Sequence, residues 1–101
     1  MNAVTSENFM QEVMQSRQTV LVDFWAPWCA PCRMLSPVVD EIAQENSDIK
    51  VVKINVDEEP ELAGQFSVAS IPNLFIIKDG KIVENLVGLR PKEDILAALG
   101  R

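Results

Sequence analysis

Residues 20–34, VLVDFWAPWCAPCRM, contain both cysteines and both tryptophans of the chain. The segment opens with the apolar run Val20–Trp25, which is rich in β-branched residues and typical of a strand covered on both faces. Cys29 follows the end of this run, and from Met34 onward apolar residues recur at three- and four-residue steps, as on a helix that packs against a sheet. The segment therefore predicts a strand, a turn that carries a Cys-x-x-Cys motif, and a helix.

Further strands are predicted on the carboxyl-terminal side of this segment. A second apolar run, Val51–Val56, completes a right-handed parallel strand–helix–strand unit. The runs Leu74–Ile77 and Lys81–Val87 flank Asp79-Gly80, a dipeptide that fits a two-residue type I′ turn between antiparallel strands. The pattern thus favours a mixed sheet.

Three more helices are predicted around this sheet. Apolar spacing indicates one helix over residues 9–14, and a short helix is expected after Pro60. Pro91 suits the first turn of a last helix, and Gly100 lies where that helix would end. With no repeats or linkers, the chain is expected to form one α/β domain over residues 1–101, with helices on both faces of its sheet.

Composition excludes several classes of function. The net charge of −6 comes from fifteen acidic and nine basic residues, without a basic cluster that could follow a phosphate backbone, so we expect no nucleic-acid binding. Nowhere do eighteen apolar residues run together, and the amino terminus lacks the pattern of a signal peptide, so we expect a cytoplasmic protein without a membrane anchor. The chain has no histidine, and it therefore lacks the commonest metal ligand and general base.

The position of the two cysteines suggests redox chemistry. Cys29 lies just before the predicted helix, where free N–H groups and the helix dipole favour a thiolate over a thiol. Cys29 is therefore the expected nucleophile. Cys32 lies one turn into the helix, is expected to be more buried, and is close enough to attack a disulfide formed at Cys29. Cys32 is therefore the expected resolving thiol.

Other interpretations of this motif stay open at this point. A structural disulfide is one, although closing so short a loop stabilises a fold by only about 2 kcal/mol. A closed zinc site is another, but it needs four ligands, and the chain offers two cysteines and no histidine. The cysteines could also be inert. For the whole protein, the alternatives to an enzyme are a non-catalytic binding subunit or scaffold that uses the same surface, and a metal carrier.

The sequence resembles the thioredoxin family. WCAPC after VDFWAPW, followed by KINVD, IPN, KDG and a late VG, matches this family in order over nearly the whole chain. The resemblance implies a thioredoxin fold, with about five strands and about four helices, and a dithiol–disulfide oxidoreductase that reduces protein disulfides through a redox-active Cys29–Cys32 disulfide. It implies no bound cofactor and no metal, and a monomer whose partners are disulfide-containing proteins and a thioredoxin reductase.

The resemblance also implies roles for individual residues. Asp23 is the buried carboxylate that exchanges a proton with Cys32, and Lys53 lies near this acid and tunes it. The Ile71-Pro72 bond is expected to be cis and to face the cysteines, so that an extended substrate can pair with the backbone of Ile71. The residues expected to form an uncharged contact surface for protein substrates are Trp28, Ala30, Pro31, Ala69, Ile71, Pro72 and Gly88.

Three positions bear on how this chain differs from its relatives. Ala30 occupies a position where the family usually has glycine, and Asn73 one where threonine is usual. Strongly oxidising relatives carry histidine just before the second cysteine, and this chain has Pro31 there. Because that stabiliser of the first thiolate is missing, we expect a reducing couple.

Overall fold

The sheet has a mixed topology and lies at the centre of the molecule. A computed structural model describes residues 2–101 of the chain. The five strands are β1 (Asn2–Ala3), β2 (Val20–Trp25), β3 (Lys50–Asn55), β4 (Asn73–Lys78) and β5 (Lys81–Val87). Their spatial order is β1-β3-β2-β4-β5, with β3 parallel to β1 and β2, and β4 antiparallel to β2 and β5. The predicted mixed sheet is confirmed, and β2 occupies its centre.

The strands match the sequence pattern closely, with one addition. Strands β2 and β5 have the predicted bounds, β3 lies one residue earlier than predicted, and β4 extends one residue further at each end. Strand β1 was not predicted, because two residues are too short to show the alternation by which a strand is recognised. The sheet therefore consists of four full strands and one short edge strand.

The hairpin between β4 and β5 has the expected turn. Asp79 and Gly80 both have positive φ angles, 53° and 76°, as a type I′ turn requires at its two central residues. A side chain at Gly80 would also approach the carbonyl oxygen of Met14 to 3.0 Å. Glycine is therefore required at the second position by both the backbone conformation and the packing.

The helical segments number four in the part of the chain that is described. They are a π-helix (Met10–Met14), α1 (Ala30–Glu45), α2 (Pro60–Gln65) and α3 (Lys92–Ala98). The first was expected as an amphipathic helix and is a single π-helical stretch of five residues. Pro91 is the N-cap residue of α3 and lies just before its first turn. Gly100 follows the end of α3 and has a positive φ of 80°.

Two hydrophobic cores lie on opposite faces of the sheet. One is formed with the π-helix and α2 and includes Val22, Phe24 and Phe75. The other is formed with α1 and α3 and includes Leu21 and Leu74. Because side chains alternate along β2, Asp23 points to the same face as Leu21, toward α1. The fold thus places a carboxyl group beneath the helix that carries the cysteines.

Candidate active site

The two cysteines lie at the start of α1, shortly after the end of β2. Cys29 caps the amino terminus of α1 with extended backbone angles, and its sulfur accepts a hydrogen bond of 3.2 Å from the backbone N–H of Cys32. The two residues form a disulfide, with their Cα atoms 5.2 Å apart. Free N–H groups at a helix start stabilise negative charge, so the same contact would stabilise the Cys29 thiolate after reduction.

Both cysteines are largely covered by neighbouring residues. Cys29 is 6% exposed and Cys32 is 3% exposed, so Cys32 is the more buried, as predicted. Ala26 and Ile71 pack around the disulfide. With so little of Cys29 exposed, a target disulfide has to approach the site closely.

The loop before β4 faces the disulfide. The Ile71-Pro72 peptide bond is cis, as the resemblance implies, and the Ile71 carbonyl oxygen lies 3.8 Å from the Cys29 sulfur. The carbonyl of Pro72 accepts a hydrogen bond of 2.8 Å from the backbone N–H of Gly88. This bond ties the proline loop to the end of β5 and fixes the backbone that faces Cys29.

A cavity of about 160 Å³ lies behind the disulfide. Its lining residues are Asp23, Trp25, Cys32, Arg33, Ser36 and Lys53. Asp23 is 2% exposed, and its Oδ1 atom has no hydrogen-bond partner among the described residues. The cavity is large enough for water, which needs only the space of about one probe sphere and polar partners. A proton could therefore pass between Cys32 and Asp23 inside it.

Burial controls the ionisation of Asp23. It raises the pKa of this carboxyl group to about 6, while the Lys53 ammonium partly lowers it and the Asp40 carboxylate raises it further. A general acid or base works best when its pKa lies near the working pH. Asp23 can thus bind and release a proton near neutral pH, which an exposed aspartate cannot do.

Lys53 is held by residues of α1. Its Nζ atom lies 2.9 Å from Asp40 Oδ1 and donates a 2.6 Å hydrogen bond to the Ser36 hydroxyl. None of the ion pairs between described residues joins Lys53 to Asp23. Lys53 therefore acts on Asp23 across the cavity, by its charge and not by contact.

Trp28 is the large exposed side chain next to Cys29 in the sequence. Its side chain is 67% exposed, and its indole N–H donates a hydrogen bond of 2.8 Å to Asp57 Oδ2. Of the other contact residues named from the sequence, Ala30, Pro31 and Ala69 are exposed, Ile71 and Gly88 are half-buried, and Pro72 is buried. The contact residues named from the sequence thus include one, Pro72, that the fold covers.

Four functional neighbours were missed in the sequence. Ser36 and Asp40 hold Lys53, Asp57 orients Trp28, and the Arg33 guanidinium donates a hydrogen bond of 2.8 Å to the Pro27 carbonyl. Ser36 and Asp40 lie four and eight residues after Cys32. That spacing puts them on one helical face with Cys32, so helical periodicity could have identified them.

The site holds no arrangement for a metal ion in the residues described. No group of three or more histidine, cysteine, aspartate or glutamate side chains there is placed to bind one. The redox group is the chain's own disulfide. Over the same residues, no helix is both long and apolar enough to cross a bilayer.

Comparison with known proteins gives a consistent result. The family model described as thioredoxin matches residues 1–101. Thioredoxin 1 of Synechococcus elongatus is 56% identical over 100 residues, covering 98% of this chain and 94% of the relative. Thioredoxin of Pyropia yezoensis is 52% identical, with 97% and 92% covered, and thioredoxin of Bacillus subtilis is 52% identical, with 88% and 85% covered.

Proposed function

Because the chain belongs to the thioredoxin family and is a thiol–disulfide oxidoreductase, we propose that it acts mainly as a reductant of protein disulfides. The observation that carries this proposal is the position of Cys29, which caps α1 and faces the Ile71 carbonyl at 3.8 Å. A sulfur in this position is stabilised as a thiolate on one side and faces the Ile71 backbone on the other. Both features serve attack on an extended substrate.

The reaction proceeds in two exchanges of thiolate for disulfide. In the reduced protein, the Cys29 thiolate attacks one sulfur of the target disulfide, and the other target sulfur leaves as a thiolate that takes up a proton. Cys32 then loses its proton, attacks Cys29 in the mixed disulfide, and releases the second target sulfur as a thiolate. The protein is left with the Cys29–Cys32 disulfide, and two electrons have passed to the target.

Asp23 is the proposed acceptor of the Cys32 proton. Both side chains line the same cavity, and the pKa of Asp23, raised by burial to about 6, lets it bind a proton and return it near neutral pH. Lys53, held across the cavity, adjusts this pKa by its positive charge. The cavity has room for the water molecule that would bridge the two groups.

An extended segment of the target is the proposed ligand of the proline loop. Ile71 is half-buried and its carbonyl oxygen points toward Cys29, so a substrate backbone can pair with it as an added strand. The proposed contact surface also includes Trp28, Ala30, Pro31, Ala69 and Gly88, none of which carries a charged side chain. Such a surface accepts many different protein sequences, because few specific charges have to be matched.

The direction of electron flow follows from the residue before Cys32. Pro31 cannot donate a side-chain hydrogen bond or carry charge, so the Cys29 thiolate is stabilised mainly by the helix start and the N–H of Cys32. The reduced form therefore gains less than in relatives with histidine at this position, and the couple is more reducing. The chain is proposed to work as a cytoplasmic monomer that a thioredoxin reductase returns to the dithiol.

Insulin reduction tests this function. The purified protein, with dithiothreitol as electron donor, should accelerate the precipitation of the insulin B chain, and an NADPH-linked or a ferredoxin-linked thioredoxin reductase should replace dithiothreitol. A Cys29→Ser variant is the control and should lose the acceleration. If the native protein shows none with either donor, the proposed reductase function is wrong, and a protein partner retained by a variant lacking both cysteines would favour the scaffold interpretation.

A further inference from the structure

The Lys53 ammonium lies at the edge of the cavity, with both of its side-chain partners on α1. Ser36 Oγ is 2.6 Å away and Asp40 Oδ1 is 2.9 Å away. The Lys53 side chain is 20% exposed and that of Asp40 is 42% exposed, whereas the Asp40 Oδ1 atom that faces the ammonium is itself buried. Ser36 is half-buried and lines the cavity itself. Of the two partners, Ser36 is therefore the one inside the site.

Asp23 offers the same ammonium an alternative partner. Lys53 is the direct neighbour of Asp23 in the register of β2 and β3, and both line the cavity. Asp23 Oδ1 is buried without a hydrogen-bond partner among residues 2–101. A buried polar atom without a hydrogen-bond partner lowers the stability of the fold. An ammonium released from α1 is therefore expected to move toward Asp23 Oδ1.

We propose that Ser36 is a positioning residue of the redox site: its hydroxyl, together with Asp40, holds the Lys53 ammonium on the α1 side of the cavity and prevents it from pairing with Asp23. The proposal rests on the proton-transfer role of Asp23 given above. It extends that role, because it names the side chain that keeps the proton acceptor free of a direct counterion. A directly paired Asp23 would stay ionised and would bind the Cys32 proton poorly.

The direction of the effect follows from the charges around Asp23. The titratable and charged groups that face it are Lys53 from β3 and Cys32, Arg33 and Asp40 from α1, whereas its neighbour on β4 is the apolar Leu74. In Ser36→Ala the ammonium loses its closest partner and moves toward Asp23. The pKa of Asp23 should then fall by about half a pH unit, a part of the 1–3 units typical of a carboxylate in contact with a cation.

The test is a carboxyl titration of Asp23 by carbon-13 nuclear magnetic resonance in the disulfide form of the full chain. Ser36→Ala should lower the midpoint, and Ser36→Thr, which restores the hydroxyl, should return it to the native value within the error of the titration. A lower midpoint could also result from extra water in the cavity of the alanine variant, without any movement of Lys53. The comparison is therefore repeated in a Lys53→Met background, where the effect of Ser36→Ala should vanish if it acts through Lys53.

Each outcome decides the question. An unchanged or raised midpoint in Ser36→Ala, or a threonine variant that behaves like the alanine variant, overturns the proposal. The same holds if the shift persists in the Lys53→Met background, because hydration and not Lys53 would then be its cause. Thermal unfolding of each variant confirms that it is folded. The titration needs no turnover, so a failure of insulin reduction by the native protein would refute the proposed function and leave this result separate.

Discussion

Asp23 and Lys53 are direct neighbours across β2 and β3, yet the Lys53 ammonium binds Ser36 and Asp40, and no described residue forms an ion pair with Asp23. Burial is therefore the largest influence on the Asp23 carboxyl group, and it raises the pKa to about 6. The sheet brings the acid and the base together, but the side chains of α1 decide how strongly they interact. This arrangement keeps a proton acceptor ready beside Cys32.

Replacing Asp23 by asparagine should stabilise the protein at high pH. The folded-state pKa of about 6 exceeds the ordinary value of 3.8, so the folded protein binds this proton more tightly than the unfolded chain does. The native protein thus loses stability as the pH rises from about 4 through about 6, by about 3 kcal/mol in all. Asp23→Asn should be more stable than the native protein by up to this amount at pH 8, and no more stable at pH 3.5.

Urea unfolding of the disulfide form at several pH values measures this difference. Glu58→Gln is a suitable control, because Glu58 is exposed and the charge change is the same. The control should show no gain that grows with pH. Equal stability of Asp23→Asn and the native protein at pH 8 would mean that ionised Asp23 is not costly in the folded state, contrary to the proposed role of burial.

The roles of the two cysteines can be separated by trapping. In Cys32→Ser the resolving step is absent, so a mixed disulfide between Cys29 and a target protein should accumulate. Cys29→Ser should form far less of it, because Cys32 is 3% exposed and lies behind Cys29. Non-reducing electrophoresis with insulin, followed by peptide mapping, identifies the bonded cysteine. Trapping at Cys32 in preference to Cys29 would reverse the assignment.

The sequence was sufficient for the main features of the fold because they rest on patterns that a single chain displays. The β-branched run Val20–Trp25, the helical spacing after Met34 and the Asp79-Gly80 turn each have a local physical cause. Strand β1 could not be predicted, since its pairing with β3 depends on a neighbour distant in the sequence. The same limit applies to the burial of Cys29, to which Ile71 of another loop contributes.

The site was predictable to the extent that its residues are chemically distinctive. Cys29, Cys32 and an acid in an apolar strand are unusual enough to be noticed in a sequence. Ser36 and Asp40 belong to types that are common on helix surfaces, and only the tertiary contact with Lys53 gives them a role. Which acid Lys53 contacts is decided by side-chain geometry and not by strand register, so the sequence could not show that Lys53 pairs with Asp40.

The hydrogen bond between Trp28 and Asp57 should affect the rate at which protein disulfides are reduced. Asp57→Ala removes the acceptor of the indole N–H, whose bond is 2.8 Å long, and frees the exposed ring to move. The expected result is a roughly twofold to fivefold loss of kcat/KM for insulin, in line with the modest net value of one exposed hydrogen bond. Asp57→Asn keeps an oxygen acceptor and should restore most of the activity.

Glu58→Ala is the matched control for the charge, because Glu58 is the exposed acid next in the chain. It should leave kcat/KM and the anisotropy of tryptophan fluorescence unchanged, whereas Asp57→Ala should lower the anisotropy. If both alanine variants lose the same activity, the effect comes from the local negative charge, and the orientation of Trp28 by Asp57 is unimportant.

A pair of glycine substitutions tests whether backbone conformation at Gly88 supports the proline loop. Gly88 has a positive φ of 91°, so Gly88→Ala should lower the unfolding free energy by about 1–2 kcal/mol, although a Cβ atom there would meet nothing within 4 Å. Gly64, in α2, has the same free space without a positive φ, so Gly64→Ala should stabilise the protein by about 0.5–1 kcal/mol. The kinetic effect should be confined to Gly88. Because the Gly88 N–H donates to the Pro72 carbonyl, Gly88→Ala alone should also raise the KM for insulin. Chemical denaturation measures the stability effects, and steady-state kinetics measures the KM. If Gly88→Ala is as stable as the native protein, the positive φ at position 88 does not require glycine.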